Sequence, residues 1–499
     1  MALMSGCEFI LNKYIGWYCS VTMYLDRTAI TADPEATSGK KIPNCNSSLF
    51  GNTNVRKLNL IYFRMYRKIL LYISTPKKTD HTMNRKFVAL SLMSVFALVA
   101  QAQNVSKGKV ITEEKGKGFY YESILKDVSA VDEKLEEKEP FKRFVMDQSG
   151  MDLPNNPSLY TTVWSNPTIS QGNAGTCWSF STTSFYESEV LRQTGKTVKI
   201  SEIYFAYCEY LEKARRFVEK RGNSVFSEGS EGNALARIMK TYGALPEEAY
   251  TGLINGRKYH SHAKMVEEMT AFLNSLKTSN AWNVDFALET IQSILNHHLG
   301  VPPKTFTVDG KNYSPQSYLK DYLKINPDDF VEILSYKQEP YWQKVEYKVP
   351  DNWWHSKDYY NVPLDDFMAA LKKAVKSGYT LSIGGDVSES GFSRETNCAL
   401  VPDYDIPSVF INEDARQFRF SNETTTDDHG MQVIGYLENY KGSGKDWFLV
   451  KDSSSGSRNV DQNSPNFGYY FFHEDYIKLK MMGFTVHKGA VDDLLTKFK

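Results

Sequence analysis

The run Gln171-Gly172-Asn173-Ala174-Gly175-Thr176-Cys177-Trp178-Ser179-Phe180-Ser181 constrains this chain more than any other feature, because it sets a cysteine where a helix should start and a glutamine shortly before it. Residues 178–193 contain neither glycine nor proline, and Gly195 stands where a left-handed C-terminal cap is common, so a helix is predicted to begin near Cys177. Gly172 and Gly175 permit a tight approach loop. Thiols at helix N-termini beside an imidazolium are populated as reactive thiolates. The Gln171 amide and the Cys177 backbone N–H are then candidate donors to the oxyanion of a tetrahedral intermediate. An arbitrary helical cysteine is more often a buried apolar side chain; here the surrounding run turns the reading towards acyl transfer.

Two downstream segments supply partners. Thr426-Asp427-Asp428-His429-Gly430-Met431-Gln432-Val433-Ile434-Gly435-Tyr436 and Trp447-Phe448-Leu449-Val450-Lys451-Asp452-Ser453 both read as strands, and Lys441-Gly442-Ser443-Gly444-Lys445 between them is turn chemistry. An antiparallel hairpin is predicted, which carries Asp452 back towards His429. His429 then faces Cys177 with one nitrogen and Asp452 with the other. The remaining histidines compete weakly: His260 and His262 form an H-x-H, His297 and His298 lie near a helix end, and His473 follows an aromatic strand, where a structural role is expected.

These segments resemble the nucleophile, histidine and asparagine regions of papain-like cysteine peptidases. Within that group the chain resembles bleomycin hydrolase and the bacterial aminopeptidase C from about residue 156 to 499. Four further segments carry the likeness: Ile200-Ser201-Glu202-Ile203-Tyr204-Phe205; Glu231-Gly232-Asn233 leading into Lys240-Thr241-Tyr242-Gly243-Ala244-Leu245-Pro246; Leu299-Gly300-Val301-Pro302-Pro303-Lys304-Thr305-Phe306-Thr307; and Tyr360-Asn361-Val362-Pro363-Leu364 with Leu381-Ser382-Ile383-Gly384-Gly385-Asp386-Val387. The resemblance implies an α+β, papain-like two-lobed fold with a helical nucleophile lobe and a β-rich histidine lobe. It also implies catalysis by Cys177, His429 and Asp452, with an oxyanion hole from Gln171 and Cys177. Peptide substrates are expected, with no cofactor and no metal, and the family's assembly is a homo-oligomeric ring.

Three departures bear on activity. Asp452 stands where the family usually has asparagine; an aspartate still accepts the histidine N–H, and its charge should raise the histidine pKa. Ser454 replaces the usual tryptophan, which predicts a hydrogen bond less covered from water. In bleomycin hydrolase and aminopeptidase C a terminal carboxylate enters the cleft and binds the substrate's amine. Here the likeness runs through Val486-His487-Lys488 and Val491-Asp492-Asp493-Leu494-Leu495 to Lys499 without that segment, so the N-terminal arm or another acidic residue is expected to hold the amine. An aminopeptidase is the reading; an endopeptidase, a dipeptidyl or tripeptidyl peptidase, or a non-catalytic peptide-binding relative are the alternatives.

Composition supports a large globular core, with 41% hydrophobic and 13% aromatic residues in 499. A net charge of zero gives no sign of nucleic acid or an anionic membrane as partner. Met83-Asn84-Arg85-Lys86 is basic, residues 87–100 are uncharged and apolar, and Ala100-Gln101-Ala102 fits a cleavage site. The apolar stretch is shorter than the ~20 residues of a membrane span, so a signal peptide at 83–102 is expected, with export to the periplasm or the outside and no stable membrane anchor. Residues 1–82 then read as an upstream extension from a misassigned start. Removing residues 1–102 leaves Cys177, Cys208 and Cys398, an odd set with at least one free thiol. Residues 103–154 read as a charged N-terminal arm, 155–499 as the peptidase domain, and about 251–350 as a largely helical insertion, with Met265, Met269, Phe272, Leu273, Leu276 and Phe286, Leu288, Ile291, Ile294, Leu295 as core stripes.

Overall fold

The computed structural model describes residues 106–113, 117–130 and 142–498. The proposed upstream extension, the signal segment and most of the Glu–Lys-rich stretch at 133–142 lie outside the described residues. In the arm, β1 (Gly108–Thr112) pairs antiparallel with β2 (Lys142–Met146). The arm is tied to the body: the Met146 N–H donates to the Ser390 carbonyl at 2.8 Å, and the Asp127 carboxylate accepts the Lys258 and Tyr259 N–H groups at 2.9 and 3.0 Å. A short β3 (Thr161–Thr162) follows.

The helical lobe contains α1 (Cys177–Thr194), α2 (Glu202–Glu219), α3 (Ala234–Tyr242), α4 (Ala263–Ser279) and α5 (Val284–Leu299). Local chemistry sets their ends. Ser201 accepts the Tyr204 N–H at 3.2 Å and Asn283 accepts the Phe286 N–H at 3.0 Å, each satisfying an orphan donor of a first turn. Gly195, at φ 72°, closes α1 in the left-handed conformation expected for it. Met265, Met269, Leu273 and Leu276 of α4 share an apolar core with Ile291, Leu295 and Leu299 of α5, and each such burial contributes about 1.5–3 kcal/mol. Phe286 departs from its predicted stripe: it is 54% exposed and sits edge-on to Phe272, the rings 6.0 Å apart.

The helical character expected across 251–350 is concentrated in α4 and α5. Beyond them the chain makes a hairpin of β4 (Phe306–Val308) and β5 (Lys311–Tyr313), then β6 (Phe330–Leu334), β7 (Gln343–Val345) and β8 (Tyr359–Asn361). These last three belong to the main sheet. After α6 (Leu364–Lys376) come β9 (Leu381–Gly385), β10 (Cys398–Ala399), α7 (Glu413–Ser421), β11 (His429–Leu437), β12 (Trp447–Lys451), β13 (Tyr469–His473), α8 (Glu474–Lys480) and β14 (Met481–His487). The ten-stranded sheet runs β10-β13-β12-β11-β9-β14-β6-β8-β7, with β3 also on β11. The predicted β11–β12 hairpin is present, antiparallel, with Gln432 opposite Lys451.

The two faces of this sheet differ in chemistry because strand side chains alternate. Leu381, Ile383, Met431, Val433 and Val450 pack with Phe367 and Leu371 of α6 in a second core. Their neighbours Ser382, Gln432 and Lys451 point the other way, onto α1. There the Thr182 and Ser382 hydroxyls lie 2.9 Å apart, Ser184 donates to Gln432 Oε1 at 2.6 Å, and Lys451 Nζ donates to Ser184 Oγ at 2.7 Å. Burial pushes the Lys451 ammonium down to about 8. The Ser/Thr-rich sequence of α1 is therefore a polar seam between lobes. At its mouth a Cβ on Gly430 would lie 3.0 Å from Ser181 Oγ and 3.4 Å from Trp178 Cα, so glycine after His429 lets α1 approach.

Candidate active site

The approach loop is anchored on both sides. The Gln171 N–H donates to the Ser453 carbonyl at 2.9 Å, and the Asn173 N–H to the His260 carbonyl at 2.7 Å. Gly172 has φ 71°, and a Cβ there would come within 2.3 Å of the His260 carbonyl oxygen, so only glycine fits. Tyr120 of the arm donates to Asn173 Oδ1 at 3.0 Å. The loop delivers Cys177 as the first residue of α1, where backbone N–H groups have no intrahelical acceptor and the helix dipole is positive. Gln171 is 8% exposed. Ser453 donates to its Oε1 at 2.7 Å, and its Nε2 donates one hydrogen to the Ala174 carbonyl at 2.7 Å, leaving the second unassigned.

Cys177 and His429 line one cavity between the lobes, where the Cys177 sulfur helps to raise the His429 imidazole. His429 Nε2 lies 2.6 Å from Asp452 Oδ1, which leaves Nδ1 for the thiol. Burial alone would lower the imidazole pKa; the Cys177 sulfur and the Asp452 carboxylate outweigh it and hold His429 well above the usual histidine value. Burial likewise opposes ionisation of Asp452, but the His429 hydrogen bond and charge, followed by Arg458, hold its pKa well below the usual carboxylate range. Asp452 is thus the acceptor and the Nε2 proton resides on His429.

The site is dry where an open hydrogen bond was expected. Asp452 is 1% exposed. Ser454, in the position of the missing tryptophan, donates to Asp452 Oδ2 through its hydroxyl at 2.6 Å and its backbone N–H at 3.1 Å. Arg458, also buried, donates to the carbonyls of Asp452 at 3.1 Å, Ser454 at 2.6 Å and Ile169 at 2.6 Å. Cover comes from hydrogen bonds and a buried guanidinium rather than from an indole ring. Neither Ser454 nor Arg458 was singled out in the sequence as a supporting group; the adjacency of Asp452 and Ser454 was the available signal.

The cavity also holds five carboxylates, Glu231, Glu332, Asp351, Asp427 and Asp428, and no lysine or arginine among its lining residues. Burial raises every one of them, with Asp427 and Glu332 each pushed to about 7. Asp427, Asp428 and Glu231 stand inside sequence motifs that by themselves assign these carboxylates no site.

The competing histidines have local partners. His262 Nδ1 lies 3.1 Å from the Tyr210 hydroxyl, His260 is lowered to about 4 by burial, His298 Nε2 is 2.9 Å from Glu268, and His473 caps α8 through the Asp475 N–H at 3.2 Å. Among the described residues no three His, Cys, Asp or Glu side chains converge to hold a metal ion, and no helix is long and apolar enough to cross a membrane. Cys177, Cys208 and Cys398 are all free thiols; burial pushes Cys208 up strongly and Cys398 up to about 12, so both are inert core groups.

A family model for the Peptidase C1-like family matches residues 223–498, more than half of the chain. The chain belongs to the Peptidase C1-like family, as a papain-like cysteine peptidase of aminopeptidase C type. Within this C1-like peptidase the matched stretch includes His429 and Asp452, while Gln171 and Cys177 precede it. Aminopeptidase G of Lactobacillus delbrueckii subsp. lactis is 22% identical over 361 residues, covering 64% of this chain and 80% of that protein. A probable cysteine protease of Arabidopsis thaliana is 32% identical over 108 residues, covering 21% of this chain and 29% of that protein. The crystal structure of PepW from Lactobacillus rhamnosis superposes with a TM-score of 0.50 at 18% identity over 69% of this chain and 84% of that one, a likeness of fold.

Proposed function

We propose that this C1-like peptidase is an exported aminopeptidase that cleaves peptides through a thioester on Cys177. The reading rests on Cys177 at the first position of α1 sharing a cavity with His429, whose Nε2 lies 2.6 Å from the buried Asp452 carboxylate. The thiolate attacks the scissile carbonyl carbon, and the oxyanion forms beside the Cys177 N–H and the unassigned hydrogen of Gln171 Nε2. His429 Nδ1 gives its proton to the leaving amine as the C–N bond breaks. Water then loses a proton to Nδ1 and adds to the thioester; the C–S bond breaks, the acid is released and the thiolate–imidazolium pair returns. Asp452 keeps the ring in the tautomer and orientation both steps need.

Aminopeptidase action is supported by the similarity to aminopeptidase G over 80% of its length. Export is supported by the basic, apolar and Ala-Gln-Ala segments at 83–102. The test compares one fluorogenic peptide with a free and with an acetylated N-terminus. Cleavage of the free form alone is expected; equal cleavage of both makes the protein an endopeptidase. Intact mass of the exported protein is expected to place the mature start near Gln103, and a start elsewhere removes the signal assignment.

A further inference from the structure

We infer that the side chains of Glu231, Asp427 and Tyr347 form an ammonium-binding subsite in the cleft, which holds the cationic amine of a substrate and thereby fixes which bond reaches Cys177. This rests on the reading of Cys177 as nucleophile and names what that site recognises.

The three groups share one cavity wall with Cys177 and His429, and Asp427 lies two residues before His429 in the chain. Of the five carboxylates there, two accept hydrogen bonds and a third lies near a cation. Glu332 accepts the Thr485 hydroxyl at 2.7 Å, Asp428 accepts the Val387 N–H at 2.9 Å, and Asp351 lies in the field of the Lys213 ammonium, which is itself held by the Ser227 and Gly229 carbonyls. Glu231 and Asp427 remain, near enough for Asp427 to raise the Glu231 carboxyl, in a cavity that no lysine or arginine lines.

Two polar atoms of the residues lining this space are unsatisfied. Glu231 Oε1 and the Tyr347 hydroxyl are buried without a hydrogen-bond partner, and Tyr347 is only 3% exposed. Leaving buried polar atoms unpaired is costly, and a native structure that does so at a cleft wall calls for a ligand. The chemistry of that ligand follows from what is missing. Two carboxyl groups and a phenol oxygen all accept; an ammonium offers three donors and a positive charge, and so satisfies all three while relieving the repulsion between the acids. The chain's own C-terminal segment does not fill the place: the Phe498 ring packs on Trp342 and Tyr360, and Tyr360 faces away from the cleft-lining Tyr359 on the same strand.

The ammonium can be the substrate's α-amine or a lysine side chain, and a set of coumarin amides separates them: alanyl, acetyl-alanyl and acetyl-lysyl-alanyl. With the full chain, the alanyl amide is expected to be cleaved at least ~10-fold faster than its acetylated form, and this ratio should collapse towards one in the Glu231→Gln/Asp427→Asn double variant. Preference for the acetyl-lysyl form, lost in the same variant, keeps the subsite and assigns it to a side chain. Using a ratio removes the effect of partial unfolding, and the Glu231→Asp variant should restore part of the preference. A ratio unchanged in the double variant overturns the subsite, as does a wild-type protein that cleaves all three amides alike. Failure of iodoacetamide to alkylate Cys177 in the wild type would instead strike at the nucleophile itself.

Discussion

The Ser454 hydroxyl donates to Oδ2 of Asp452 at 2.6 Å, while Oδ1 of the same carboxylate meets His429 Nε2 at 2.6 Å. The two departures from the family pattern are therefore complementary. A carboxylate has no hydrogen to give and needs donors on both oxygens, and the serine supplies one where an amide would have supplied its own N–H. Replacing Ser454 by alanine leaves the Ser454 backbone N–H as the partner of Oδ2 and is expected to lower kcat/KM about ten-fold, in line with the ~1.5–3 kcal/mol of a charged hydrogen bond. Steady-state kinetics on a free-amine substrate measures this, and an unchanged kcat/KM would show the pairing to be incidental.

Asp452→Asn removes a charge that helps to raise His429, so the imidazolium form is lost at lower pH. The alkaline limb of the pH–rate profile is expected to move towards acid relative to wild type, with the peak rate retained within about ten-fold because asparagine still accepts the Nε2 proton. The sign for stability follows from the same shifts. His429, raised in the fold, stabilises below its unfolded pKa and loses this as pH rises through its folded pKa; Asp452, depressed, stabilises above its unfolded pKa and loses this as pH falls through its folded one. The Tm gap between the two proteins should be widest between those limits, and a gap independent of pH contradicts the assignment.

Arg458 holds three carbonyls of two chain segments, from Ile169 in the approach to Cys177 and from Asp452 and Ser454 after β12. Arg458→Met leaves these acceptors buried and unpaired and is expected to cost about 2–4 kcal/mol, read as a lower midpoint of denaturation. Alkylation of Cys177 should also slow, because Gln171 hangs from the same region. A midpoint within experimental error of wild type would mean water replaces the guanidinium.

The placement of Cys177, His429 and Asp452 was legible in the sequence because it rests on local signals. The glycine-spaced loop and the long run without breakers locate the start of α1, and the glycine-rich turn at 441–445 sets the hairpin that returns Asp452 to His429. The strands β6 and β7 were hidden inside a stretch read as helical, since they are three to five residues long and gain their order from β14 and β8. The acidic cleft was hidden for a different reason: Glu231, Glu332, Asp351 and Asp427 come from four separate segments, and only the tertiary fold brings them to one wall. Ser454 read as a loss because its hydroxyl was weighed against an aromatic cover rather than against the needs of a carboxylate.

Covalent labelling distinguishes a nucleophilic Cys177 from the buried thiols. The protein has three described thiols, and only Cys177 sits at a helix start beside His429, while Cys208 and Cys398 are buried. Treated with an epoxysuccinyl thiol-protease inhibitor and mapped by mass spectrometry, the protein should carry one adduct, on Cys177, and the His429→Ala variant should carry it at least about a hundred times more slowly. No adduct on Cys177, or labelling shared with Cys208 and Cys398, would contradict the assignment of Cys177 as the nucleophile.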